Sequence, residues 1–192
     1  MRLFNKKNLN SNVNYNTDEI ENNNRRAVCE KLENIPNVDA PVGWNRIEIA
    51  VGGLMYVGFS EVDTKKIICI SSQGQSVINC ETGEVNFCDE NYDELELTAI
   101  AEELESEIIH IAGIGGGGLR HFSINGDILV SVAPQYPIEK IIFQPNYKSC
   151  FTQPEDCLCI YKGYEIRAYG FSKCGNYIVI CDSADLIIFK RV

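Results

Sequence analysis

Trp44-Asn45-Arg46-Ile47-Glu48-Ile49-Ala50-Val51 and, two glycines later, Leu54-Met55-Tyr56-Val57-Gly58-Phe59-Ser60 open a region whose hydrophobic pattern has a period of two. Lys66-Ile67-Ile68-Cys69-Ile70-Ser71-Ser72 and Gln75-Ser76-Val77-Ile78-Asn79-Cys80 continue it. These runs are short, rich in Ile, Val, Tyr and Cys, and separated by Gly, Ser, Asp or Thr. That is how strands read, because successive strand residues face opposite sides. Glu81-Thr82-Gly83-Glu84 reads as a hairpin turn before Val85-Asn86-Phe87. A second set follows at 107–112, 127–133, 139–144, 157–162, 164–172, 176–182 and 185–190. Asn125-Gly126 and Cys174-Gly175-Asn176 supply tight turns within it. The pattern predicts about eleven strands and one clear helix. No long helical crossover separates the strands, so the sheets are expected to be antiparallel. The fold class is mainly β, an antiparallel meander that is propeller-like or sandwich-like.

Upstream the composition changes. Asn occupies nine of the first 24 positions. Such a segment has little to bury, so residues 1–16 are expected to form a flexible arm. A helix is predicted over about 17–34. Thr17 can cap it, Asp18, Glu19 and Glu21 favour its N-terminal end, and Ile20, Ala27, Val28 and Leu32 form an apolar stripe. Pro36 lies beyond its end. Residues 17–192 then make one domain, a length able to bury its own core. Leu97 to Leu104 has the pattern of a second, short helix.

The strand region contains an internal echo. Gly58-Phe59-Ser60 precedes Ile67-Ile68-Cys69-Ile70-Ser71-Ser72 and Val77-Ile78. Gly170-Phe171-Ser172 precedes Ile178-Val179-Ile180-Cys181-Asp182-Ser183 and Ile188-Phe189. The two segments, about 57–86 and 169–190, resemble a β-propeller blade of the WD40-like kind. The resemblance implies blade-like meanders of antiparallel strands. The chain has no Trp-Asp or Gly-His signature, and the second copy lacks a last strand. At roughly 40–45 residues per blade, the chain is too short for a seven-bladed ring. The implied form is a very small or open propeller-like meander.

Seventeen basic residues stand against 27 acidic ones, a net charge of −10. From Ile67 to Leu119 there are eleven acids and no Lys or Arg, so this block carries −11 and the remainder +1. Such a block repels nucleic acid and anionic membrane and attracts a basic partner. The basic residues form scattered pairs rather than a stripe, which also speaks against nucleic acid. No run approaches the roughly 18 apolar residues of a membrane span, and Met1 to Asn10 has no apolar export signal. The cysteines number nine, an odd count, without a Cys-x-x-Cys pair. They read as reduced, cytoplasmic and mostly core residues, with no metal or other cofactor expected.

Gly113-Ile114-Gly115-Gly116-Gly117-Gly118 fits the Gly-x-Gly-x-x-Gly string of dinucleotide folds, but the helix that must follow is missing. Only six residues separate the glycines from Asn125-Gly126, less than the roughly 3.6 residues per turn allow for two turns. The stretch reads as a tight connection, or as an anion-cupping loop in which Gly115, Gly116, Gly117 and Gly118 act with Arg120 and His121. The acidic residues are dense in sequence, but density does not place two carboxyls across a cleft as glycosidases require. No Gly-x-Ser-x-Gly, His-Glu-x-x-His or Walker A string occurs. The expectation is therefore not an enzyme but a small, acidic, cytoplasmic binding protein. It would resemble immunity proteins or phage inhibitors in type and neutralise a basic protein partner by occlusion. Asp93, Glu94, Glu96, Glu102, Glu103 and Glu105 would steer that partner, with Tyr92 as an aromatic anchor. The alternative is a small-ligand protein that takes a nucleotide or phosphate at the glycine loop.

Overall fold

The computed structural model describes residues 12–192. One helix, α1 (Asn12–Glu33), precedes fifteen strands. The first five are β1 (Trp44–Ala50), β2 (Leu54–Phe59), β3 (Lys66–Ser71), β4 (Gly74–Asn79) and β5 (Val85–Cys88). Four two-residue strands follow: β6 (Tyr92–Asp93), β7 (Thr98–Ala99), β8 (Ile109–His110) and β9 (Ala112–Gly113). The last six are β10 (Ile128–Gln135), β11 (Ile138–Gln144), β12 (Leu158–Gly163), β13 (Ala168–Phe171), β14 (Tyr177–Cys181) and β15 (Asp185–Arg191). Every pair of these strands is antiparallel. The chain is mainly β with antiparallel sheets and one N-terminal helix. Among the described residues no closed barrel or propeller is detected, and no helix is long and apolar enough to cross a membrane.

The strands form four sheets, ordered β5-β4-β3-β2-β9, β6-β7-β8, β10-β11-β12 and β1-β15-β14-β13. Alternation of side chains then stacks them. From β3, Ile67 and Cys69 meet Val179, Cys181, Leu186 and Ile188 of the β1/β13–β15 sheet. Their neighbours Ile68 and Ile70 point the other way, onto Ala99, Leu104, Ile109 and Ile111 of the β6–β8 layer. From β14 and β15, Ile178, Ile180, Ile187 and Phe189 meet Leu129, Ile141, Phe143 and Ile160 of the β10–β12 sheet. On the far side of that sheet, Ile142, Cys157 and Cys159 receive Leu32 and Ile35 from the end of α1 and the turn after it. The layers therefore run β6–β8, β2–β5, β1/β13–β15, β10–β12, α1. The two inner sheets are covered on both faces. Central strands such as β3 and β14 consequently read as continuous apolar runs rather than the expected period of two, whereas the edge strand β1 keeps its alternation. Each buried Ile of such a run contributes roughly 2–3 kcal/mol.

Both copies of the echo form three-stranded meanders, β2-β3-β4 and β13-β14-β15, and they pack on each other. Beside the second copy, β15 pairs on its other edge with β1, which precedes the first copy in the chain, from Trp44↔Arg191 to Ala50↔Asp185. In each copy the glycine of Gly-Phe-Ser is a point of close approach. A Cβ on Gly58 would strike Ile109 and the His110 carbonyl, and one on Gly170 would strike Leu119.

Two local expectations are revised. Residues 1–11 of the expected arm lie outside the described residues, and α1 is already formed at Asn12, so Thr17 is inside it rather than at its cap. Of the expected stripe only Leu32 is buried, while Ile20 and Val28 are exposed. Leu97 to Leu104 is not a helix but β7 followed by one 3-10 turn (Glu102–Leu104). There Ala99, Ala101 and Leu104 turn inward onto Ile68, Ile70 and Val77 of the β2–β5 sheet, a demand that outweighs helical propensity.

Candidate functional site

Two concavities coincide with charged side chains. The larger is a cleft of about 660 Å³ where the ends of β2 and β13 meet. Its walls include Phe59 and Phe171, the equivalent residues of the two copies, together with Ile108, Ile109 and Leu119. Glu61 and Lys173 also line it, each the residue directly after Gly-Phe-Ser. The Lys173 ammonium lies 2.7 Å from Glu61 Oε2, and the Arg120 guanidinium 3.1 Å from Glu61 Oε1. Hydrogen bonds from Lys173 and then Arg120 hold the Glu61 carboxyl below its ordinary range.

Arg120 is fixed by its backbone: its carbonyl accepts the Phe171 N–H at 2.7 Å. Glu107 enters the cleft from the other side. Its Oε2 accepts the Ser60 hydroxyl at 2.5 Å and its Oε1 the Glu61 N–H at 2.8 Å. Both oxygens are thus engaged in clamping the approach to β8 against the end of β2. His110 is exposed at the rim.

The glycine loop connects the two segments that cross these glycines. Gly113 N–H donates to Gly116 O, Gly116 N–H to Gly113 O, and Ile114 N–H to Met55 O. A Cβ on Gly113 would collide with the Met55 carbonyl, and one on Gly115 would meet the Tyr56 hydroxyl. Gly116 and Gly117 have positive φ, a conformation that favours glycine. The loop is therefore a tight turn whose named amides are spent on backbone carbonyls. Gly118 borders the cleft with open space beside it. His121 does not line the cleft; its ring stacks on Tyr169 at 4.4 Å, and burial lowers its pKa against a backbone hydrogen bond of Tyr169.

The second concavity, about 560 Å³, is an acidic groove bordered by Asp89, Glu90, Glu102 and Glu103 and floored by Ile100 and Ala101. Lys66 reaches Glu103 at 2.5 Å. Glu105 follows on the same 3-10 turn in a left-handed conformation and is exposed. Asp93, Glu94 and Glu96 surround the β6–β7 turn instead. Asp93 Oδ1 accepts the Leu95 and Glu96 N–H groups at 2.8 and 3.0 Å and so builds the turn. Glu94 and Glu96 are exposed, and Leu95 at the tip is 94% exposed. Tyr92 is half-buried against the core between the β6–β8 layer and the β2–β5 sheet, and burial, then Glu90 and Glu94, raise its pKa. The exposed apolar residue among these acids is thus Leu95 rather than Tyr92.

Sequence reasoning did not single out Glu61, Lys173, Phe59 or Phe171 as site residues. The signal was the echo itself, which places Glu61 and Lys173 at matching positions. Comparison of the chain with protein-family models and with curated proteins gives no match.

Proposed function

We propose that this is an acidic binding protein that docks on a basic protein partner and occludes it, in the manner of immunity proteins or phage inhibitors. The observation that carries this is the outer β6–β8 layer. There the acidic groove of Asp89, Glu90, Glu102 and Glu103 lies in the same layer as the β6–β7 turn, where Leu95 stands exposed between Glu94 and Glu96. An exposed leucine flanked in the chain by two exposed carboxylates supplies an apolar anchor with charged neighbours, as at the core and rim of a protein interface. The carboxylates would steer a basic surface and raise the association rate, while burial of Leu95 would set the dissociation rate. Nine free cysteines suit a reducing, cytoplasmic setting.

The test uses a photo-crosslinking residue at position 95 to capture the partner at low salt. Association rates of the purified partner are then followed against salt. Glu102→Lys with Glu105→Lys, which leaves the Lys66–Glu103 pair intact, is expected to slow association roughly tenfold at low salt, with an unchanged thermal midpoint. Equal rates for the two proteins at low salt would overturn the proposal.

A further inference from the structure

We propose that the cleft between the ends of β2 and β13 binds a small organic phosphomonoester, with Arg120 and Lys173 holding the phosphate in place of the Glu61 carboxylate. Among the described residues, each of these two cations pairs with Glu61 alone. Glu61 meets them with one oxygen each, at 3.1 and 2.7 Å. The pair is therefore already spaced for an anion that offers two oxygens from one centre, the geometry an Arg fork and a Lys ammonium take on phosphate. The three side chains are each about half exposed, so the internal ion pairs are weak and cheap to exchange.

The ligand's charge follows from this competitor. A tethered carboxylate acts at an effective concentration of roughly millimolar or more. A free monocarboxylate offers the cations nothing better. A phosphomonoester carries about −1.5 to −2 charges at pH 7 and a third oxygen. Glu107 does not compete, because Ser60 and the Glu61 N–H hold both of its oxygens. The ligand's organic part follows from the walls: Phe59, Ile108 and Leu119 give the cleft an apolar side next to the cations. Gly118, with open space where a side chain would stand, leaves the mouth clear. This site is separate from the acidic groove, and neither proposal depends on the other.

Titration calorimetry of the full chain with phenyl phosphate, inorganic phosphate and benzoate tests the assignment. Phenyl phosphate should bind more tightly than inorganic phosphate, and benzoate most weakly. Arg120→Gln and Lys173→Gln should each weaken phenyl phosphate roughly tenfold, the loss expected for one charge-assisted contact. Glu61→Gln removes the competitor and should tighten phenyl phosphate by a similar factor while bringing benzoate into range. Thermal melts of the three variants check that each is folded. Phenyl phosphate affinity indifferent to Arg120→Gln and Lys173→Gln, or weakened by Glu61→Gln, would overturn the proposal. So would a wild-type protein that binds phenyl phosphate no better than inorganic phosphate.

Discussion

Asp182 builds the turn between β14 and β15. Its Oδ1 accepts the Ala184 and Asp185 N–H groups at 2.7 and 2.8 Å, and its Oδ2 accepts the Tyr161 hydroxyl at 2.6 Å. Burial disfavours the ionised form, but these hydrogen bonds more than offset it, and the carboxyl is held below its ordinary value. A depressed folded-state pKa contributes stability above the unfolded value, near 4, and loses it as pH falls through the folded value. Asp182→Asn should therefore cost about 1 kcal/mol at pH 7, a low figure because the carboxylate is partly solvated. Urea melts should show the gap between wild type and variant closing toward pH 3. A gap that stays constant over that range would mean the charge of Asp182 is not what holds the turn. The Tyr161 phenol is pushed up by burial and then by Asp182, so it remains the donor throughout.

Helix α1 is anchored at one end. Lys140, 2% exposed, projects from β11 and donates to the Leu32 and Glu33 carbonyls at 3.4 and 3.1 Å, with Glu33 Oε2 at 3.3 Å. A cation at the last carbonyls of a helix satisfies groups that have no partner within it. Leu32 and Ile35 add the apolar contact, while Ile20 and Val28 face outward. Lys140→Met should cost about 2 kcal/mol, because the Leu32 and Glu33 carbonyls lose their donor and the partly exposed Glu33 carboxylate its cation. Hydrogen exchange should report faster opening of residues 28–35 with the β13–β15 meander little changed. Uniform loss of protection across all sheets would contradict this local anchoring. At this scale most strands were legible, because runs such as Ile67–Ile70 and Ile178–Cys181 are short, rich in β-branched residues and bounded by turn residues. What misled was the apolar stripe on α1. Period alone does not tell whether a surface meets the stripe, and here only the last turn is met. The segment 97–104 failed for the converse reason, since its apolar residues answer to a neighbouring sheet.

The cysteines report on the stack of layers as a whole. Cys69 and Cys181 lie in the core between the two inner sheets, with Cys80 beside them. Burial pushes Cys69 and Cys80 up to about 12, and Cys181 well above the usual thiol value. Cys174 is half-buried in the β13–β14 turn. Burial works against its thiolate, but hydrogen bonds from Ser172, the Asn176 backbone and Thr64 outweigh it and lower its pKa. Iodoacetamide at pH 8 should therefore modify Cys174 in the native protein and reach Cys69, Cys80 and Cys181 only as fast as the whole stack unfolds. Mass mapping of the labelled sites in urea checks this. Labelling of Cys69 at native-state rates would show that the two inner sheets separate without global unfolding. The sequence by itself determined most of the longer strands, their antiparallel sense, the charge block and the echo, because each depends only on local period, turn residues and composition. Only the tertiary structure decided that β1 pairs with β15, that Leu95 rather than Tyr92 is exposed, and that Glu61, Arg120 and Lys173 converge. Those outcomes depend on contacts between residues tens of positions apart, and no local pattern encodes which distant surfaces will meet.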